Sequence, residues 1–309
     1  METAEKRSQR GPSRMNRIKP GTNLSFNLLF VLLAACCILP VIFVFMISVS
    51  SEESIRQVGY SFLPVKFSGS AYRFLWNERN MILSALFISV SVTCVGTLLG
   101  LILNTAMGYS LSRPNFRLKS FYTWVIFIPM LFGGGMFASY VVNANILNLR
   151  NTIWALILPL LGSSYNIVIC KTFFKSTIPD SVIESAKIDG ASQLRTYLSI
   201  VLPVSKPLLA TISLFLSFGY WNDWFQSSLY ISKANLLSLQ ALLNNIMRAL
   251  TYIANNPTAG LTLQQYRNQM PSESVRMAIA IVIVIPIACA YPFFQKYFIS
   301  GLTIGAVKG

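Results

Sequence analysis

The feature of this sequence that most limits its possible folds is a series of long stretches without a charged residue. Charge-free runs occupy residues 20–51, 80–112, 120–149, 151–170 and 277–295, and a sixth apolar segment, 207–232, is interrupted only by Asp223. The hydrocarbon core of a bilayer is spanned by about 20 mostly apolar residues in a helix. Only 11% of the chain is charged, whereas soluble domains carry about 25%. The chain is therefore predicted to be an all-α membrane protein.

The distribution of basic residues between the apolar runs predicts an orientation. We expect membrane helices at 24–48, 82–109, 121–142, 153–173, 208–230 and 277–298. Most of the 25 lysines and arginines lie before the first helix, in the 110–120 and 174–207 loops, and at the C-terminal end. Because basic loops stay in the cytoplasm, six spans with both termini cytoplasmic are predicted for a multi-pass protein of the plasma membrane. The chain then divides into a basic tail (1–23), a first helix with an external loop (24–81), a core (82–300) and a C-terminal tail (301–309).

The residue inventory excludes several kinds of chemistry. The chain contains no histidine, which rules out Ser–His–Asp triads and histidine zinc sites. No G-x-x-x-x-G-K-[ST] loop is present, so this chain is not expected to bind ATP by that route. All five cysteines lie in apolar runs and are interpreted as small buried hydrophobes, with no metal site. The net charge of +15 is assigned to loops beside lipid headgroups rather than to nucleic-acid binding.

The long external segment 231–276 contains one amphipathic pattern. Apolar residues recur at spacings of three and four: Leu236, Leu239, Leu243, Ile246, Met247 and Leu250. This period predicts a helix. Its apolar face either packs on the membrane or the helix bundle, or docks an external partner.

The cytoplasmic loop 174–207 is predicted to form two short helices. The first runs to about Ile188, where Asp189-Gly190 breaks it because glycine tolerates the backbone angles of a sharp turn. The second is expected from about Ser192 to Val201, with Leu202-Pro203 as its stop and Pro207 opening the fifth span. Taken alone, this pattern fits an ordinary interfacial hairpin as well as it fits a docking element.

The same loop carries a resemblance to a known family. Glu184-Ser185-Ala186, Asp189-Gly190-Ala191, Ile200, Leu202-Pro203 and Pro207 resemble the cytoplasmic loop of binding-protein-dependent ABC importer permeases. Within them the chain is most similar to the maltose-type branch for complex oligosaccharides, although Ser185 replaces the family's usual alanine. Residues 151–159, 219–225 and 295–309 resemble further segments of the family. The resemblance covers the chain from about residue 82 to its end.

The resemblance implies a type I importer permease fold and a non-catalytic role in a larger complex. Family members pair with a second homologous permease, expected here to be non-identical, and with two ATPase subunits that bind ATP and Mg²⁺. An extracytoplasmic binding protein delivers the sugar. By resemblance, contact with the ATPase is assigned to Glu184, Ser185, Ala186, Asp189, Gly190 and Ala191. The tail residues Gly301, Thr303, Gly305 and Lys308 are expected either to insert at the ATPase dimer or to form a frayed end.

Polar residues inside the apolar runs mark a candidate substrate pathway. Tyr220, Trp221, Asn222, Asp223 and Trp224 combine aromatic faces with amide and carboxylate groups, as sugar sites do, and Asp223 is an ionisable group within a membrane segment. Tyr165 and Asn166 form a second cluster. The alternatives are an aromatic belt with Asp223 capping a helix, and interhelical hydrogen bonding. A self-contained secondary transporter or channel is the competing class, although no internal repeat is evident.

Overall fold

The computed structural model describes residues 20–255 and 272–306, so the basic N-terminal residues 1–19 lie outside the described part. The described residues fold into a bundle of helices. These are α1 (Pro20–Ser48), α2 (Glu52–Val58), α3 (Ser70–Asn77), α4 (Arg79–Ser112), α5 (Lys119–Leu131), α6 (Gly135–Tyr140), α7 (Trp154–Ile157), α8 (Ser164–Thr177), α9 (Asp180–Ile188), α10 (Gln193–Thr196), α11 (Leu202–Val204), α12 (Lys206–Asn222), α13 (Phe225–Tyr230), α14 (Leu239–Asn255) and α15 (Ser272–Ala306). The π-helical segments Val141–Ile146 and Tyr197–Val201 continue α6 and α10, and 3-10 turns form at Leu158–Leu160 and Ala234–Leu236.

By length and composition, two of the described helices can cross a membrane, namely α1 and α4. Two bent pairs bring the number to as many as four. Trp154–Leu160 and Ser164–Thr177 meet at 50°, and Gln193–Val204 and Lys206–Asn222 meet at 86°. The predicted first, second and sixth helices correspond to α1, α4 and α15. The count of six spans and the orientation stay predictions.

Three of the predicted helices are interrupted: the third breaks at the Gly133-Gly134-Gly135 run, as these glycines indicate in the sequence, whereas the fourth and fifth were expected to be continuous. The third ends at Leu131, and α6 restarts at Gly135, whose φ of +78° glycine adopts without strain. The fourth is bent at residues 161–163, where Ser163 caps α8 by accepting a hydrogen bond from the Asn166 amide. The fifth ends at Asn222, and α13 begins only at Phe225. Hydrophobicity alone does not show the breaks in the fourth and fifth helices, because apolar residues continue on both sides of each break.

Helix α4 lies at the centre of the bundle and packs against α8 and α12 through small residues. A Cβ atom at Gly96 would lie 2.5 Å from the Tyr220 ring, and one at Gly108 would overlap the Cβ of Cys170. Glycines at such contacts let helix backbones approach closely in a membrane. The close approach of α4 to α8 and α12 therefore depends on the missing side chains.

Asn104 lies between these glycines on α4 and is fully buried. Its side-chain amide donates to the carbonyl oxygens of Gly100, at 2.5 Å, and Leu161, at 3.0 Å, while its Oδ1 accepts from the Ser163 amide at 3.1 Å. Residues 161–163 form the bend before α8, whose backbone groups lack regular helical partners. Asn104 supplies those partners, because an unpaired polar group is costly in an apolar interior.

At the predicted external end, Glu52 of α2 forms hydrogen bonds to the start of α15. Its carboxylate accepts hydrogen bonds from the backbone amides of Glu273 and Ser274, at 3.2 Å each, and from the Ser274 hydroxyl. A negative group at this position also interacts favourably with the α15 macrodipole. Nearby, the Tyr60 hydroxyl donates to Glu273 at 2.7 Å, and this hydrogen bond together with burial raises the pKa of Tyr60. The cap joins α2 to α15 across the sequence.

The predicted amphipathic helix is confirmed as α14. Leu239, Leu242 and Leu243 are buried, in one cluster with Ala85 of α4 and Ile279 of α15. This contact favours the packing alternative for the apolar face of this segment.

Candidate functional site

The predicted cytoplasmic loop 174–207, which resembles the ATPase-coupling loop of importer permeases and is called the coupling loop below, contains α9 followed by α10. Helix α9 has two different faces. Ile183 and Ala186 are buried, and Ile183 belongs to a cluster with Phe174 and Ile178 at the end of α8. On the opposite face Glu184, Ser185 and Asp189 are exposed, and Ile188 is 86% exposed. One face therefore fixes α9 to the bundle, and the exposed surface presents polar groups together with the apolar side chains of Val182 and Ile188. Ala186, assigned by resemblance to the ATPase contact, lies on the buried face.

The end of α9 is a well-formed helix stop centred on Gly190. The Gly190 amide donates to the Lys187 carbonyl at 3.0 Å, and the Ala191 amide donates to the Ala186 carbonyl at 2.9 Å. These two bonds define a Schellman motif, which places its C′ residue in the left-handed region. Gly190 has a φ of +76° and open space around a Cβ position. The predicted break at Asp189-Gly190 is therefore confirmed, and its cause is backbone conformation rather than crowding.

The second helix of the loop extends beyond its predicted stop. Ser192 caps α10 by accepting from the Arg195 amide at 3.3 Å. The helix then continues through the π-helical segment and α11 to Val204, so the prediction that Leu202-Pro203 ends it was wrong. Proline is tolerated at the first positions of α11, directly after a π-helical segment. The chain turns at Ser205 instead, and Pro207 begins α12 as predicted.

Arg113, which the sequence analysis did not single out, joins the core to the coupling loop. Its Nη1 lies 3.0 Å from Oδ1 of Asp180 in α9, and its Nη2 donates to the Phe174 carbonyl at 3.0 Å. The guanidinium also lies 5.3 Å from the centre of the Tyr109 ring. A basic residue directly after an apolar helix is typical of a cytoplasmic loop, so the local pattern does not predict a specific contact for it.

A second contact between α4 and the coupling loop lies at Thr105. The hydroxyls of Thr105 and Tyr197 are 2.7 Å apart, and the Tyr197 ring lies 5.3 Å from that of Tyr109. Burial raises the pKa of the Tyr197 hydroxyl, and the hydrogen bond to Thr105 acts in the opposite direction. Together with Arg113, this pair attaches both helices of the loop to α4.

Three of the predicted pathway residues line one cavity. Tyr165, Asn166 and Tyr220 surround a space of about 330 Å³ between α8 and α12. Tyr165 is 59% exposed, whereas the Tyr220 hydroxyl donates to the Ile157 carbonyl at 2.9 Å in a buried position. Tyr165 is therefore available to a solute, whereas Asn166 lines the cavity as a buried residue and the Tyr220 hydroxyl already has a structural partner.

The residues around Asp223 separate into different environments. The Asp223 carboxylate accepts from the Gln226 amide at 3.3 Å, at the start of α13, which fits the helix-capping alternative. Trp221 is buried, and its Nε1 has no hydrogen-bond partner among the described residues. Asn222 is exposed and donates to the Phe218 carbonyl. Trp224 lines a second cavity of about 510 Å³, beside α14 and α15. The five consecutive residues therefore do not form one site.

The C-terminal residues continue the last helix. Its predicted end was near 298, but α15 extends to Ala306 and includes Gly301, Thr303 and Gly305. Lys308 lies outside the described residues. The assignment of this segment to the ATPase stays a prediction.

Comparison with known proteins adds family information to this geometry. Residues 96–304 match the family described as "Binding-protein-dependent transport system inner membrane component". The chain is 35% identical over 294 residues to the Polygalacturonan/rhamnogalacturonan transport system permease protein YtcP of Bacillus subtilis (strain 168), covering 95% of this chain and 99% of that one. It is 35% identical over 276 residues to Protein LplC of the same strain, covering 89% and 90%.

One solved structure is also similar over nearly the whole chain. It is the crystal structure of a bacterial ABC transporter involved in the import of the acidic polysaccharide alginate. A chain of that structure matches with a TM-score of 0.76 and 27% sequence identity, covering 93% of this chain and 99% of that one.

Proposed function

The chain belongs to the family of inner membrane components of binding-protein-dependent transport systems, and we propose that it is a permease subunit of an ATP-driven importer of oligosaccharides or polysaccharide fragments. The observation that carries this proposal is the family match over residues 96–304, which includes the whole coupling loop. Relatives named as polygalacturonan/rhamnogalacturonan and arabinooligosaccharide permeases support the substrate class. A secondary transporter is disfavoured, because the chain's relatives work as parts of transport systems rather than alone.

We place the chain in the membrane with six spans and both termini in the cytoplasm. The proposal combines α1 and α4, the bent pair of Trp154–Leu160 and Ser164–Thr177, α12, the interrupted third segment and α15. The basic loops at 110–120 and 174–207 support the orientation. With this arrangement α9 faces the cytoplasm and the Glu52 cap lies outside.

We propose that the exposed face of α9 docks into an ATPase subunit, which binds ATP and Mg²⁺. Glu184 and Asp189 offer carboxylates for charge-assisted hydrogen bonds. Ile188 is 86% exposed although it is apolar, and burying it in a partner would be favourable. Ala191 and the buried Ala186 shape the loop rather than touch the partner, and the segment 301–309 is proposed as a second contact.

The break after α5 supports a second permease subunit, proposed to be non-identical. Gly133 and Gly134 have no atom within 4 Å of a Cβ position, and Phe132 and Phe137 are 73% and 80% exposed. Non-helical backbone at membrane depth occurs where protein covers it or where it lines a water-filled cavity. A neighbouring permease facing this segment would provide both the cover and the other wall of the pathway. The proposed lining on this chain is Tyr165, Asn166, Asn222 and Trp224.

Co-purification in mild detergent tests the assembly. We expect the tagged chain to bring an ATPase, a second permease and a sugar-binding protein, and ATP-dependent sugar uptake to follow reconstitution. Ile188→Asp should abolish ATPase retention, whereas Leu118→Asp, at an exposed apolar residue of the 110–120 loop, should not. Recovery of this chain alone, still moving solute without ATP, would contradict the proposal.

A further inference from the structure

The cavity beside Trp224 combines groups that the coupling role does not use. Its volume is about 510 Å³, and it lies between α14 and α15 at the predicted external end of the pathway. Its polar lining consists of Arg248, Arg276, Gln240 and Asn244, with Trp224 at one side. Two guanidinium groups, two amides and an indole therefore face one space.

Arg248 is the group whose charge is left uncompensated. It is exposed, and its guanidinium carbon lies 5.4 Å from the centre of the Trp224 ring. Within residues 20–255 and 272–306, no carboxylate lies within ion-pair distance of it. A guanidinium held over an aromatic ring keeps its N–H edge free for a planar anion, which it can bind with two parallel hydrogen bonds.

Arg276 adds a second donor on the α15 side. Its Nη1 pairs with Glu273 at 2.9 Å, and its Nη2 donates to the Thr251 hydroxyl at 3.2 Å. The Nε is buried, and among the described residues it has no hydrogen-bond partner. The pairing with Glu273 holds the side chain in place and partly compensates its charge, so Arg248 supplies most of the attraction for an anion.

The remaining lining suits a sugar ring. Leu243, Ile279 and Ile283 provide apolar surface, and Gln240 and Asn244 provide donors and acceptors. A pyranose has apolar faces and hydroxyl edges, so an indole with nearby amides matches it. Asp223, the acidic residue next to Trp224 in the chain, directs its carboxylate to the start of α13 and is not part of the lining.

We propose that this cavity binds an acidic sugar unit, a uronate, with Arg248 holding the carboxylate and Trp224 packing against the ring. The inference rests on the proposed function, because it names the chemical class of the transported sugar. It also names the residues of this chain that distinguish an acidic from a neutral unit.

Direct binding of sugar probes to the purified complex, prepared without the binding protein, tests the site. The probes are trigalacturonate and its fully methyl-esterified form, measured by equilibrium dialysis against the complex in nanodiscs. The variants are Arg248→Gln and, as a control for general surface charge, Lys233→Gln, an exposed residue of the same external segment and outside the cavity lining. Both replaced side chains are exposed, so neither change should prevent folding.

We expect the complex to bind trigalacturonate roughly tenfold more tightly than the ester, as the loss of a charged hydrogen-bonded pair would predict. Arg248→Gln should remove this preference while leaving ester binding unchanged, and Lys233→Gln should preserve it. Equal binding of the two probes to the unmodified complex, or an equal loss of both in Arg248→Gln, would overturn the proposal. A separate uptake assay distinguishes failure of this binding site from failure of the proposed function. If the acid preference is present but ATP-dependent sugar uptake is absent, the proposed function fails and the site stands.

Discussion

Arg113 should determine whether movement of the coupling loop reaches the core. Its guanidinium joins the end of α4 to Asp180 of α9 and to the Phe174 carbonyl at the end of α8, each at 3.0 Å. Replacing it with methionine keeps much of the side-chain volume and removes these bonds together with the contact on the Tyr109 ring. The perturbation therefore loosens the attachment of α9 without opening a large cavity.

The contacts of Arg113 set the expected size of the effect. The bond to the Phe174 carbonyl is charge-assisted and worth about 1.5–3 kcal/mol. The ion pair adds only about 0–1 kcal/mol, because the Asp180 side chain is 60% exposed, and the ring contact adds about 0.5–1 kcal/mol. Arg113→Met should lower the free energy of unfolding by about 2–5 kcal/mol in total.

The assay compares sugar uptake with ATP hydrolysis in the reconstituted complex. We expect Arg113→Met to lower uptake per ATP hydrolysed, because α9 can then move without carrying α4. Arg117→Met is the matched control: Arg117 is an exposed arginine in the same turn, and its removal should change neither quantity. Unchanged uptake per ATP and unchanged unfolding in Arg113→Met would show that Arg113 does not link α9 to α4.

Three further substitutions test separate parts of the structure. Gly190→Val forces a β-branched residue to a φ of +76°, so it should lower uptake while the chain still inserts, and normal uptake would count against the coupling role. Glu52→Gln should cost about 1 kcal/mol in thermal unfolding by weakening the cap of α15; an unchanged melting temperature would show that the cap contributes little. Gly108→Ala should destabilise the packing of α4 on α8, because its Cβ overlaps that of Cys170, whereas Gly69→Ala, where the space is open, should be tolerated.

Much of the architecture, including the glycine break after α5, could be predicted from local patterns, but the interruptions of the fourth and fifth predicted helices could not. The long helices α1, α4 and α15 follow directly from charge-free runs, and the turn at Gly190 follows from a residue type with a special conformational range. Hydrophobic periodicity did not show the break at Asp223, whose role as a helix cap was only one of two alternatives: the carboxylate accepts the Gln226 amide at the start of a new helix. The predicted pathway residues that line a cavity are therefore divided between the one at Tyr165 and the one at Trp224.

Residue types and their spacing were enough to predict that this chain is a membrane protein. They also locate its long apolar helices and the loop that resembles a coupling element. These properties depend on residue type and spacing within one segment, because hydrophobicity and turn preference act locally. Three contacts became visible only in the folded chain. Asn104 holds the bend before α8, and Arg113 joins α4 to α9. Arg248 and Arg276 share a cavity with Trp224. These contacts join residues distant in the chain, and a hydrogen bond or ion pair depends on where the packing of helices brings its two atoms.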